Sequence, residues 1–200
     1  MKTDDPHGDT TTGLRYIGSP VAFFRLTERE YADQALADWG TYLHRTLQAS
    51  MAAGGRFNAR NGFGALYTAS DEDTAWLEIA ARFEREGVSA LPPRMGLLRI
   101  AVLAGRYVDL TSATARSHWE LTLEALTARA PTRAEEDACR RAGAAIRVVA
   151  DFLQSPSARG PGRNVPIFPD REHGELRMSL ASVVHREPPA ALRQRSRERW

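Results

Sequence analysis

One cysteine, Cys139, occurs in 200 residues, so no intramolecular disulfide can form and nothing argues for an oxidising compartment. Long apolar runs are equally scarce. The longest, around Leu97–Ala104, is interrupted by Arg99 and falls far short of the roughly 20 residues that span a bilayer. The opening MKTDDPHGDTTTG lacks the basic-then-apolar order of a signal peptide. Walker and Rossmann phosphate loops are missing, and the five histidines show no metal-ligand spacing. These absences predict a cytoplasmic protein with no membrane anchor and no bound metal.

A surplus of either charge is missing too. The formal net charge is +2, but residues 186–200 hold five Arg against two Glu and so carry +3, leaving the rest near −1. That is not the footprint of a nucleic-acid-binding body. No direct nucleic-acid contact is expected, and the basic end reads first as a solvated tail.

What is present suffices for one core: 42% of the residues are hydrophobic, close to the globular average. Polar residues 1–14 read as a flexible leader, 15–185 as the folded domain and 186–200 as a basic, disordered tail or frayed helix. Val21–Leu26 is a short β-prone run. Leu36, Trp39, Leu43 and Leu47 recur at helical spacing and predict one helix from about Tyr31 to Met51, weakened at Gly40. Ala65–Ala69 reads as a strand, and Ser70-Asp-Glu-Asp73 as the start of a helix buried through Trp76, Ile79, Ala80 and Phe83. Leu97–Leu103 and Tyr107–Leu110 suggest a tight hairpin turning at Ala104-Gly105-Arg106. A helix capped by Thr111 or Ser112 is expected to carry His118, Trp119, Leu121 and Leu126, and another to run from Pro131-Thr132 to about Val149. Ala150–Leu153, Asn164–Phe168 and Leu176–Val184 complete the strands. Without regular βαβ alternation, the pattern is that of a mixed α+β domain.

Three patterns place polar residues where a simple core has no use for them. They are Gly54-Gly55-Arg56-Phe57-Asn58 in a loop with four glycines, Leu66-Tyr67-Thr68-Ala69 leading into Trp76-Leu77-Glu78, and Pro156-Ser157-Ala158-Arg159. Arg56 precedes Tyr67 by eleven residues, and Tyr67 precedes Glu78 by eleven. Taken one at a time, each has an ordinary reading. Arg56 is then a solvated loop cation, and Glu78 forms a helix salt bridge with Arg82. Tyr67 becomes a half-buried strand aromatic and Ser157 a turn residue. Arg159, Arg163 and Asn164 either shape their loop or touch a substrate. Cys139, beside Arg140 and Arg141, reads as an indifferent thiol rather than a nucleophile.

As an ordered set, these segments resemble the RES-domain family over roughly Arg25 to Phe168, with Phe57 where many relatives carry Trp. The resemblance implies a central β-sheet with flanking helices, related to the fold of ADP-ribosylating toxins, and a cleft for NAD⁺. It implies cleavage of the nicotinamide–ribose bond, as an NAD⁺ phosphorylase or glycohydrolase, or transfer of ADP-ribose to a protein. It further implies a toxin restrained by a helix-turn-helix, Xre-type antitoxin, with a homodimer inside a larger complex as one arrangement. NAD⁺ would be substrate rather than cofactor, with inorganic phosphate as a co-substrate; no other cofactor is expected. Arg56, Glu78 and Ser157 are the catalytic candidates. Arg25, Tyr67 and Asn58 are the substrate-binding ones, with Arg25 as a second anion contact.

The residue types suit that chemistry. A guanidinium binds phosphate oxygens through paired charge-assisted hydrogen bonds, and bare glycine backbone lets a dinucleotide approach Arg56 closely. Cleaving the glycosidic bond builds positive charge on the ribose, which a fixed carboxylate such as Glu78 stabilises most in the transition state. Water, phosphate and a protein side chain remain open as acceptors. So does a different class, a non-catalytic protein that binds an antitoxin-like partner; a nucleic-acid binder led by the basic tail is the remaining reading.

Overall fold

The computed structural model describes residues 9–88, 91–172 and 174–195. Eight strands form one sheet, in the spatial order β1 (Leu14–Tyr16), β5 (Arg106–Asp109), β6 (Phe152–Pro156), β7 (Arg163–Ile167), β3 (Leu66–Ala69), β2 (Val21–Glu28), β4 (Met95–Ala104) and β8 (Arg177–Arg186). Every pairing is antiparallel except β5 with β6. With seven helices among the described residues, this is the mixed α+β arrangement that the sequence predicts. Among the described residues no helix is long and apolar enough to cross a membrane.

Strand alternation divides the core. Phe23, Leu66, Leu98, Ile100, Phe152, Val165 and Ile167 pack with Ala32 and Ala35 of α1 (Arg29–Ala37) and Tyr42 of α2 (Trp39–Ala53). On the other face, Val108 and Leu153 meet Ala125 and Leu126 of α5 (Leu123–Thr127) and Cys139, Ala142 and Ile146 of α6 (Arg133–Val149). Leu26, Ala69 and Leu97 pack there with Ala75 and Trp76 of α3 (Glu72–Arg85). Neighbouring strand residues point to opposite faces, so β2, β3, β4, β5 and β6 feed both layers, while β7 gives Val165 and Ile167 to the first.

Several local expectations hold, and each has a visible cause. Asp71 caps α3 by accepting from Thr74 N at 2.7 Å. Thr132 and Glu135 form a reciprocal capping box on α6, which ends at Val149.

Others need correction. The helix expected over Tyr31–Met51 is two helices, because Asp38 leaves helical geometry and caps α2 through Thr41 N at 3.0 Å. Leu36 therefore falls off the buried stripe and is exposed. The helix expected beyond Ser112 is likewise divided into α4 (Ala113–His118) and α5, with Glu120 at φ 54° between them.

The expected hairpin at Gly105 does not form. Both edges of β4 are already occupied by β2 and β8, so β5 crosses to the far side of the sheet and pairs with β1 and β6. Gly105, at φ 151°, makes the crossing in a backbone conformation that favours glycine. The buried Asp151 carboxylate anchors it by accepting from Arg106 N at 2.7 Å and Arg171 Nη1 at 2.8 Å.

Part of the leader and part of the tail lie among the described residues. Trp119 Nε1 donates to Thr12 O at 2.8 Å, and Leu14 enters β1, so the second half of the leader is built in. Of the tail, Ala190–Arg195 forms α7, and Leu192 packs against the Leu26–Trp76 cluster. Residues 1–8 and 196–200 lie outside the described residues.

Candidate active site

β2 and β3 meet at one register pair, Phe24 with Ala69. Arg25, the next residue of β2, leaves the strand on the α2 side of the sheet, opposite to Ala69. Its guanidinium donates Nε to Tyr42 Oη at 3.1 Å and Nη1 to the Tyr67 carbonyl at 2.8 Å. Arg25 thereby supplies a donor to a β3 carbonyl near the lone β2–β3 register pair. It braces this junction of the sheet.

The glycine-rich loop is locked from within. Gly54, at φ 72°, closes α2. Gly55 lies so close to Tyr67 that an added Cβ would sit 2.7 Å from Tyr67 Cζ and 2.8 Å from Asn58 Oδ1. The Tyr67 hydroxyl accepts from Phe57 N at 3.0 Å and donates to Asn58 Oδ1 at 2.7 Å. Burial pushes this phenol well above its ordinary pKa, which keeps the donating proton in place. Asn58, fully buried, donates Nδ2 to the carbonyls of Ser50 at 3.0 Å and Phe63 at 2.9 Å. The predicted ligand-binding amide is thus placed as the internal clamp of the loop.

Arg56, near the start of the loop, donates Nη1 to Leu126 O and Nη2, at 2.8 Å, to Ala128 O. These carbonyls lie at the C-terminal end of α5, where the helix dipole favours a cation. Arg56, Tyr67 and Asn58 therefore form one connected assembly that fixes the loop against α5.

Glu78, Ser157 and Asn164 make a second centre. The β6–β7 loop packs on the start of α3 so closely that a Cβ on Gly162 would lie 3.0 Å from Thr74 Cβ. Ser70 fastens it, exchanging hydrogen bonds with the Arg163 backbone at 2.9 and 3.0 Å. This docking brings the buried Ser157 hydroxyl to Glu78 Oε1, to which it donates at 2.7 Å while accepting from Arg159 N at 3.0 Å. Asn164 Nδ2 donates to the same oxygen at 2.9 Å. Arg82, the alternative partner weighed for Glu78, pairs instead with Glu86 at 2.8 Å. Arg159 stands beside this centre. Burial pushes its guanidinium below the ordinary value, Glu78 pulls it back up, and Arg85 and Arg129 push it further down.

The chemical candidates thus separate into Glu78 with Ser157, and Arg56 with Tyr67 and Asn58, while Arg25 approaches from the other face. Asn164 belongs with Glu78, which the loop-or-substrate reading of the sequence leaves undecided. Its signal is a primary amide at the head of Val165-Pro166-Ile167, since a polar group in a buried strand needs a partner. Cys139 is buried and its thiol is pushed up by desolvation, against the pull of Arg56 and Arg140. Among the described residues no three His, Cys, Asp or Glu side chains are grouped to hold a metal ion. An open groove of about 580 Å³ on α1, lined by Arg29, Glu30, Asp33, Gln34 and Ala37, holds none of the candidates.

The mixed α+β domain thus holds one carboxylate braced by a serine and an asparagine, beside a half-buried arginine. The model of the RES domain matches residues 22–190, and the chain belongs to that family. Among solved structures, the chain is similar to one in the crystal structure of the M. tuberculosis MbcT–MbcA toxin–antitoxin complex. The two share 22% identity over 92% of each chain with a TM-score of 0.62, a likeness of fold. No curated protein matches the chain.

Proposed function

We propose that this protein is a toxin that cleaves the nicotinamide–ribose bond of NAD⁺ and is neutralised by a cognate helix-turn-helix antitoxin. The observation that carries the reading is the half-buried Glu78 carboxylate, with Ser157 and Asn164 both donating to Oε1. Membership of the RES family supports it, and the naming of a fold relative as part of a toxin–antitoxin complex supports the partner.

The C–N bond breaks with its electron pair leaving on nicotinamide, and the positive charge that develops at the ribose carbon faces Glu78. A carboxylate oriented before the charge appears needs little reorganisation, which favours the transition state over the bound ground state. Water or a phosphate oxygen then forms the new C–O bond; a proton is released with water, and ADP-ribose or its 1″-phosphate results. Arg159 adds a cation beside Glu78 for the diphosphate. Arg56 joins it by exchanging carbonyl contacts for phosphate oxygens, a trade of neutral acceptors for charged ones, while Arg25 stays on the other face as a brace of the sheet.

The test is incubation of the purified chain, freed of any co-purifying antitoxin, with NAD⁺ in the presence and absence of phosphate. Products are separated chromatographically. Nicotinamide release is expected, with the second product identifying the acceptor, and Glu78→Gln should lose about 10²–10³-fold in kcat. Intact NAD⁺ under both conditions with the wild type refutes the reading, and label appearing on a protein band redirects it to ADP-ribose transfer.

A further inference from the structure

A carboxylate that stabilises a developing cation must be fixed in rotation as well as in position. Two donors meet Glu78, and both end on Oε1: Ser157 Oγ at 2.7 Å and Asn164 Nδ2 at 2.9 Å. Among the described residues no hydrogen bond ends on Oε2. The donors come from different supports. Ser157 sits just past the end of β6, in the loop fastened by Ser70, whereas Asn164 lies within β7, paired to Ala69 on one side and Ser155 on the other. Paired residues share a sheet face, so Asn164 rises toward α3 from a strand held by neighbours on both sides.

We propose that Asn164 is the positioning residue of Glu78: with Ser157 it fixes the carboxylate plane through Oε1 and leaves Oε2 to the ribose. This rests on the NAD⁺ reading for its substrate. The contact itself does not depend on that reading. With Asn164 removed, one hydrogen bond from Ser157 remains, and the carboxylate can turn about it. The loss of a hydrogen bond to a charged group corresponds to about ten- to hundredfold in rate. Orientation that matters as charge develops is read in kcat rather than in KM.

Three measurements test this. Asn164→Leu keeps the approximate shape and deletes the donor; its kcat should fall about ten- to hundredfold with KM for NAD⁺ nearly unchanged. Asn164→Gln returns an amide donor and should recover part of that loss, whereas a role confined to filling space predicts no such recovery. Thermal unfolding of both variants should stay near wild type. A wild-type kcat in Asn164→Leu, a loss confined to KM, or no recovery in Asn164→Gln overturns the proposal. Independently of turnover, the ¹⁵N–¹H signals of Asn164 Nδ2 should move on Glu78→Ala, and unmoved signals overturn it too. A wild type that leaves NAD⁺ intact while these signals move supports the contact and refutes the substrate.

Discussion

Replacing Tyr67 by Phe removes one oxygen atom, and the structure says what that oxygen does. It accepts from Phe57 N at 3.0 Å and donates to Asn58 Oδ1 at 2.7 Å. Phe57 and Asn58 are 1% and 0% exposed, so water cannot easily replace the missing partner. An unsatisfied buried group costs about 1–3 kcal/mol, and two neighbours that relax together give an expected loss of about 2–4 kcal/mol. For a domain of this size that is a fall of roughly 5–15 °C in melting temperature. The assay is urea unfolding followed by tryptophan fluorescence, where the midpoint should drop with an unchanged slope. The opposite result is equally specific. If Tyr67 serves mainly as a substrate contact, Tyr67→Phe will unfold within about 0.5 kcal/mol of wild type and show a raised KM, and the loop-locking argument is wrong.

Gly143→Ala on α6 should destabilise although alanine is the better helix former, because the new Cβ would lie 2.8 Å from Phe57 C and 2.9 Å from Phe57 Cβ. Gly40→Ala on α2, where a Cβ meets nothing nearer than Asp38 Oδ1 at 3.4 Å, should stabilise slightly; thermal melts showing the same sign for both would defeat the steric argument. Asp71→Ala should cost about 1 kcal/mol near neutrality through the lost cap of α3. Burial raises the Asp71 carboxyl, but Ser70 and Thr74 outweigh it and the net pKa is lowered, so the cap's contribution is present above the unfolded value of 3.8 and lost as pH falls through the folded one. Melts of both proteins should therefore converge in acid, and a gap that widens there refutes the assignment. Cys139 should resist a disulfide-forming thiol reagent at pH 8 in the native protein and react on unfolding, since burial both hides the thiol and keeps it protonated; rapid native labelling would contradict its placement.

The capped ends of α3 and α6 were legible because Asp71 with Thr74, and Thr132 with Glu135, are contacts between residues three apart. The division of α1 from α2 has an equally local cause at Asp38, but helical spacing on both sides masks it. The false hairpin at Gly105 has another origin. A glycine between two apolar strands suits a tight turn, and nothing near it records that β2 and β8 occupy both edges of β4.

The candidate site divides in the same way. Arg56, Tyr67, Glu78 and Ser157 stand out in the chain because glycines, an alternating strand and a turn mark their surroundings. Their partners do not. Arg56 meets carbonyls some 70 residues away, Ser157 lies 79 residues from Glu78 and Asn164 lies 86 residues from it.

The sequence by itself determined the α+β class, most strand and helix positions, the family and the identity of the conspicuous polar residues. Those follow from periodicity, capping and turn chemistry, which act over a few residues. Only the tertiary structure decided that Asn58 and Tyr67 lock a loop, that Arg25 braces a junction in the sheet, and that Ser157 and Asn164 share one oxygen of Glu78. Those roles depend on which distant groups the sheet order brings within hydrogen-bond reach, and a hydrogen bond acts over about 3 Å of space, whatever the separation along the chain.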